Sequence, residues 1–101
     1  AGPAEVPQGL GSLELDRRQR RVRVEGTEVA LTAKEFDLLA LLAEDPGAVV
    51  EREQILEQVW DPHWFGPTKT LDVHVASLRK KLGDPGWIQT VRGVGFRLVA
   101  R

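Results

Sequence analysis

Cationic side chains are concentrated in the last third of this sequence. Residues 68–101 contain seven Lys or Arg and only two acids, Asp72 and Asp84, whereas residues 1–67 contain seven Lys or Arg and thirteen acids. Lysine and arginine bind phosphates by charge, and arginine also by paired hydrogen bonds. Although the whole chain has a net charge of only −1, the asymmetry favours a surface that binds a polyanion. Chance variation in charge along the chain is the alternative.

Other reactive side chains form no recognisable catalytic or metal-binding set. Glu51, Glu53 and Glu57 cluster on one predicted helix with His63 after it, but no nucleophile pairs with a base and no phosphate-binding loop is present. His63 and His74 are eleven residues apart without a third ligand nearby, and the chain has no cysteine. We therefore predict no enzymatic activity, no catalytic residue, no metal and no cofactor.

Length and composition predict one domain. A chain of 101 residues, 42% of them hydrophobic, can bury a core without disulfides. No apolar run approaches the roughly 18 residues of a membrane span, and the absence of cysteine fits a reducing compartment. We expect a soluble, cytoplasmic protein without a membrane partner. Residues 1–11, rich in Gly, Pro and Ala, are expected to be a linker or an expression remnant, and residues 12–101 the domain.

The first half of the domain begins with a strand pattern. Apolar and polar residues alternate at residues 13–15, 22–24 and 29–31, which predicts three half-buried antiparallel strands. The pair Glu25–Gly26 is short enough to close a tight hairpin between the second and third of them.

Three helices are predicted next. The sequence TAKE at residues 32–35 is a capping box, which starts a helix that ends near Glu44. A second amphipathic helix is predicted at residues 51–60. A third is predicted at about residues 68–82, with Gly83 as its C-terminal cap.

The third predicted helix has an apolar stripe opposite a face of small and basic residues. The stripe expected in the core consists of Leu71, Val75, Leu78 and Leu82. The opposite face carries Lys69, Val73, Ala76, Ser77 and Lys80, flanked by Thr70, His74, Arg79 and Lys81. Short side chains let a helix enter a DNA groove, and an exposed valine can contact a thymine methyl. An ordinary solvated surface is the alternative.

The sequence QTVRGVGFRL at residues 89–98 predicts a β-hairpin beside this basic surface. Gly93 and Gly95 permit positive φ and close backbone approach, so that the tip presents Arg92 outward. An arginine fits a narrow minor groove, and Thr90 and Arg97 are within reach of phosphates. Taken alone, the same residues are also typical of a plain glycine-rich turn.

The order of strands, three helices and a basic hairpin predicts an α+β winged helix-turn-helix, with an N-terminal antiparallel sheet and a C-terminal hairpin wing. From Gly11 to Arg101 the sequence resembles the C-terminal DNA-binding domain of OmpR/PhoB-type two-component response regulators. The resemblance rests on the segments LTAKEFDLLALLAEDPGAVVEREQILEQVW, TLDVHVASLRKKL and IQTVRGVGFRL. It implies a sequence-specific transcriptional regulator that binds direct-repeat promoter sites in double-stranded DNA. It also implies an upstream receiver domain, whose phosphorylation on an aspartate promotes dimers.

The resemblance implies DNA-contacting residues by position. The third helix would enter the major groove, and the wing would place Arg92 in the minor groove. The residues implied to face bases are Thr70, Val73, Ser77 and Arg92. Those implied to contact phosphates are Trp60, Lys69, His74, Arg79, Lys80, Thr90 and Arg97. The chain departs from the family pattern at Ala76 and Ser77, where family members carry a pair of arginines, and at Phe96, where many carry a tyrosine.

The loop between the second and third helices has two interpretations. Its residues are Asp61, Pro62, His63, Trp64, Phe65 and Gly66. The aromatic side chains either pack onto the core or remain exposed for a partner. The resemblance implies a contact region for RNA polymerase here. For the whole domain, the alternative to DNA binding is a winged helix whose basic face docks an acidic protein.

Overall fold

The first described residues form a four-stranded antiparallel sheet. The computed structural model describes residues 8–61 and 69–100. The strands pair in chain order: β1 (Gln8–Leu10), β2 (Leu13–Asp16), β3 (Arg21–Val24) and β4 (Thr27–Val29). Leu13, Leu15 and Val22 point to one buried face, as the alternation predicted. Glu25 and Gly26 both have positive φ, 51° and 80°, which gives the tight β3–β4 turn.

Strand β1 lies within the segment that we expected to be a linker. Leu10 is buried, and the side-chain amide of Gln8 donates a hydrogen bond to the Ala43 carbonyl at 2.7 Å. A three-residue strand with a central glycine has too little alternation to be predicted from the sequence. Residues 1–7 lie outside the described residues, so the linker assignment stays a prediction for them.

The capping box and the first helix are confirmed. The Thr32 hydroxyl accepts a hydrogen bond from the Glu35 amide, and the Glu35 carboxylate accepts one from the Thr32 amide, at 3.2 and 2.9 Å. Helix α1 spans Ala33–Ala43. Leu38, Leu39 and Leu42 on its inner side are fully buried.

The segment after α1 forms a short strand and a second helix. Strand β5 (Val50–Glu51) pairs with the C-terminal hairpin. Helix α2 begins at Arg52–Ile55 and continues as a π-helical turn at Leu56–Trp60. The Asp61 amide closes this turn by donating to the Leu56 carbonyl at 3.0 Å.

The third helix and the hairpin complete the predicted winged helix. Helix α3 spans Lys69–Leu82, and its predicted core stripe is buried. Gly83 ends it with a φ of +84°. A 3₁₀ turn (Pro85–Trp87) leads into β6 (Ile88–Val91) and β7 (Gly95–Leu98), and β7 lies between β5 and β6 in a three-stranded antiparallel sheet. Within the described residues, no helix is long and apolar enough to cross a membrane.

Glu35 is the buried charged residue of the described core. Its side chain lies between α1 and α3, and the residue is only 2% exposed. Besides the Thr32 amide, it accepts hydrogen bonds from Lys81 Nζ at 2.6 Å and from Ser77 Oγ at 2.5 Å. Burial raises the pKa of the carboxyl, but the hydrogen bonds from Lys81, Ser77 and Thr32 outweigh burial and lower it from 4.5 to about 2. The start of α1 and helix α3 are therefore joined at one ionised carboxylate.

We predict that Glu35 makes the domain acid-sensitive. A carboxyl whose pKa falls from 4.5 to about 2 on folding contributes about 3 kcal/mol above pH 4.5, and this contribution is lost as the pH falls toward 2. Urea unfolding between pH 6 and pH 2.5 should show this loss. Glu35→Gln should be less stable at pH 6 and lose less stability on acidification. If the variant and the parent have parallel pH profiles, other carboxyl groups are responsible.

Candidate nucleic-acid interface

One stripe of α3 points away from the core. Lys69, Val73, Ala76 and Lys80 are exposed, at helical spacings of four, three and four residues. Val73 is 65% exposed, a high value for an apolar residue. We call these four residues the outward stripe. It has a lysine at each end and small apolar side chains in the middle.

Ser77 lies outside this stripe, and the base contact expected of it stays a prediction. It is half-buried, and its hydroxyl donates to Glu35 on α1. Ser77 lies at the edge of the predicted outward face, and the position of α1 turns that edge inward. Lys81 is held by the same carboxylate.

Trp60 and His74 form a contact between α2 and α3, and Thr70 holds the His74 ring from within α3. The ring of Trp60 packs against the core and meets the His74 ring edge-on, with centroids 4.9 Å apart. Nδ1 of His74 lies 2.7 Å from the Thr70 carbonyl oxygen. Because a carbonyl only accepts, Nδ1 must carry the proton. Contacts of these three residues with DNA stay predictions.

Arg79 connects α3 to the hairpin. Its Nε donates to the Ile88 carbonyl at 2.9 Å, and a terminal nitrogen donates to the Thr90 hydroxyl at 2.7 Å. Both partners lie on β6, so the guanidinium holds this strand against the helix. No local pattern in the sequence predicts this contact, and the phosphate contact expected of Arg79 and Thr90 stays a prediction.

Arg52, which is not among the predicted DNA-contacting residues, links α2 to α3. Arg52 makes a bidentate ion pair with Asp72, with nitrogen–oxygen distances of 2.8 and 3.1 Å. The Arg52 guanidinium also lies 5.7 Å from the centre of the Phe96 ring. The hydrogen bond from Arg52 lowers the pKa of Asp72. One of the two acids in the basic segment is thereby neutralised. Twenty residues separate the partners, so only the fold brings them together.

The β6–β7 hairpin, which we call the wing, presents Arg92 at its tip. The Val94 amide donates to the Val91 carbonyl at 3.0 Å and closes the turn. Gly93 has a φ of +76°, as expected. Arg92 is exposed. Arg97, further down the wing, donates from Nε to the side chain of Gln89.

Glycine is required at position 95 for close packing and not for a positive φ. Its φ lies outside the left-handed region, and a Cβ at this position would lie 1.9 Å from the Val50 carbonyl oxygen. Strand β5 therefore approaches β7 so closely that only glycine fits. The close approach expected at Gly95 is confirmed, and the positive φ is wrong.

The polymerase-contact loop falls mostly outside the described residues. Asp61 is described and exposed, whereas Pro62, His63, Trp64, Phe65 and Gly66 are not described. Among the described residues, no group of three or more His, Cys, Asp or Glu is placed to hold a metal ion.

Comparison with known proteins relates this architecture to transcription regulators. Residues 26–98 match the family model "Transcriptional regulatory protein, C terminal". The chain is 50% identical to the transcriptional regulatory protein PrrA of Mycobacterium tuberculosis over 92 residues, which cover 88% of this chain and 40% of PrrA. The chain thus spans less than half the length of this relative.

Solved structures with the same fold include DNA-binding domains. The RstA DNA-binding domain of Klebsiella pneumoniae, solved in complex with the RstA box, has a TM-score of 0.84 and 32% identity, covering 94% of this chain and 98% of that domain. The Thermotoga maritima response regulator DrrB, an OmpR/PhoB homolog, has a TM-score of 0.83 and 32% identity, covering 92% of this chain and 44% of DrrB.

We predict that the two wing glycines respond differently to substitution. Gly95→Ala should destabilise the domain by about 1–3 kcal/mol, because the added methyl must displace β5. Gly93→Asn should cost less, because asparagine tolerates positive φ better than other residues. Thermal melting of the two variants tests this order. Equal melting temperatures would mean that β5 moves aside freely.

Proposed function

The chain belongs to the family of C-terminal domains of transcriptional regulatory proteins, of the OmpR/PhoB type, and we propose that it binds double-stranded DNA with α3 in the major groove and the wing in the minor groove. The observation that carries this proposal is the outward stripe. Its two lysines are eleven residues apart, which corresponds to about 16 Å along a helix. This span exceeds the major-groove width of about 12 Å, so the lysines reach phosphates on both sides while Val73 and Ala76 lie over the bases.

The wing supplies the second contact. Arg92 is exposed at a tip whose backbone is fixed by the Gly93 turn, and Arg79 anchors β6 to α3. A guanidinium in the minor groove gains most where A·T-rich DNA narrows the groove and makes its potential more negative. Thr90 on β6 and Arg97 on β7 lie behind the tip, and we expect them to contact phosphates. Arg79 acts chiefly as a positioning residue.

In the full-length protein the domain would be the effector of a two-component response regulator in the cytoplasm. An upstream receiver domain would control its pairing on direct-repeat promoter sites. The loop that begins at Asp61 would contact RNA polymerase. The length of PrrA, of which this chain matches 40%, supports the presence of further sequence.

We predict that DNA binding is salt-dependent and requires Lys80. Lys80→Ala should weaken binding to all duplexes alike and reduce the slope of log affinity against log salt by about one. Arg18→Ala is the matched control, because Arg18 is exposed in the β2–β3 turn, whose neighbouring arginines contact α1 instead of α3. It should leave the slope unchanged.

The same titration tests the alternative that the basic face docks an acidic protein. Such a module would bind no duplex even at low salt. If the parent, Lys80→Ala and Arg18→Ala have equal slopes of log affinity against log salt, the outward stripe is not part of the DNA interface.

We predict that Arg92 senses the sequence that flanks the bound site. Arg92→Ala should weaken binding more on a site with A·T-rich flanks than on the same site with G·C-rich flanks. Because Arg92 is exposed, its replacement should leave the melting temperature unchanged. Equal losses on both flanks would make Arg92 a plain phosphate contact, and no loss would exclude the wing from the complex.

A further inference from the structure

Most hydrogen-bonding side chains of α3 are engaged within the protein. The pairs are Asp72 with Arg52, His74 with the Thr70 carbonyl, Ser77 and Lys81 with Glu35, and Arg79 with Ile88 and Thr90. These include the groups that would otherwise form directional hydrogen bonds with base edges. The middle of the outward stripe is left with Val73 and Ala76, which neither donate nor accept.

An exposed valine between two lysines distinguishes bases by apolar contact alone. The major groove offers one apolar feature among the four normal bases, the C5 methyl of thymine. A cytosine methylated at C5 presents a methyl group at the same ring position. Thymine and 5-methylcytosine differ at the neighbouring ring position, where one has a carbonyl oxygen and the other an amino group. Valine makes no hydrogen bond to either group.

We propose that Val73 is a specificity-determining residue that recognises the C5 methyl of pyrimidines, so that this domain accepts 5-methylcytosine where it accepts thymine. The proposal rests on the proposed function, since it requires α3 to lie in the major groove. Its consequence is that cytosine methylation of a site would increase affinity at the position that faces Val73.

The test uses a duplex selected by the domain from random sequences. At each pyrimidine of the half-site, affinity is measured with thymine, uracil, cytosine and 5-methylcytosine, each opposite its normal partner. At the position facing Val73, uracil should weaken binding about fourfold relative to thymine, the loss expected for one methyl group. 5-Methylcytosine should bind more tightly than cytosine by a similar factor. Because uracil keeps the O2 atom of thymine, contacts in the minor groove are unchanged.

Two variants separate methyl contact from effects on DNA shape. In Val73→Ala the thymine-to-uracil ratio should fall toward one, whereas in Val49→Ala it should stay about fourfold. Val49 is a suitable control because it is 39% exposed and lies before β5, outside α3. Both variants should melt like the parent.

The outcomes are distinguishable. Salt-dependent binding without any difference between thymine and uracil, or a difference that persists in Val73→Ala, would overturn the methyl proposal and leave DNA binding intact. A methyl preference for thymine without one for 5-methylcytosine would also overturn it. Absence of binding to every duplex would overturn the proposed function itself.

Discussion

The arrangement of the helices depends on the buried carboxylate of Glu35. Burying a charge is costly unless strong hydrogen bonds replace its hydration. Here the Thr32 amide, Ser77 and Lys81 supply them, and the last two come from α3. The carboxylate that caps α1 therefore also holds the side of α3 that carries Ser77 and Lys81 against α1. Together with the buried stripe of α3, this contact sets which side chains of the helix face outward.

The wing is held by a second set of charged contacts. Arg52 and Arg79 both lie near the Phe96 ring, 5.7 and 6.0 Å from its centre, and each also bonds another element. Arg52 pairs with Asp72 on α3, and Arg79 bonds to β6. Cations stack favourably on aromatic faces, so Phe96 needs no hydroxyl to organise this region. Together with the close β5–β7 approach at Gly95, these contacts hold the wing in position beside α3.

The parts predictable from the sequence are those with local signals. The capping box, the core stripe of α3, the Gly83 cap and the Glu25–Gly26 turn each depend on residues close together in the chain. The contacts that Ser77 and Arg79 make within the protein, and the choice of close packing over positive φ at Gly95, were not predictable because each depends on a partner far along the chain. Helical periodicity places Ser77 between the outward and inward faces, and only the position of α1 decides between them. For Gly95, glycine permits positive φ and close packing alike, and only the neighbouring β5 carbonyl selects the second.

Different residues of α3 stabilise the fold and carry the proposed base recognition. Ser77, Arg79 and Asp72 stabilise contacts with α1, β6 and α2, so replacing them disturbs the scaffold as well as any contact with DNA. Val73 and Ala76 are exposed, and surface substitutions of this kind usually change stability by less than about 0.5 kcal/mol. If α3 binds DNA as proposed, base preference can therefore change at these two positions while the fold and the flanking lysines are kept. In such a domain, charge supplies most of the affinity and the middle of one helix face supplies the discrimination.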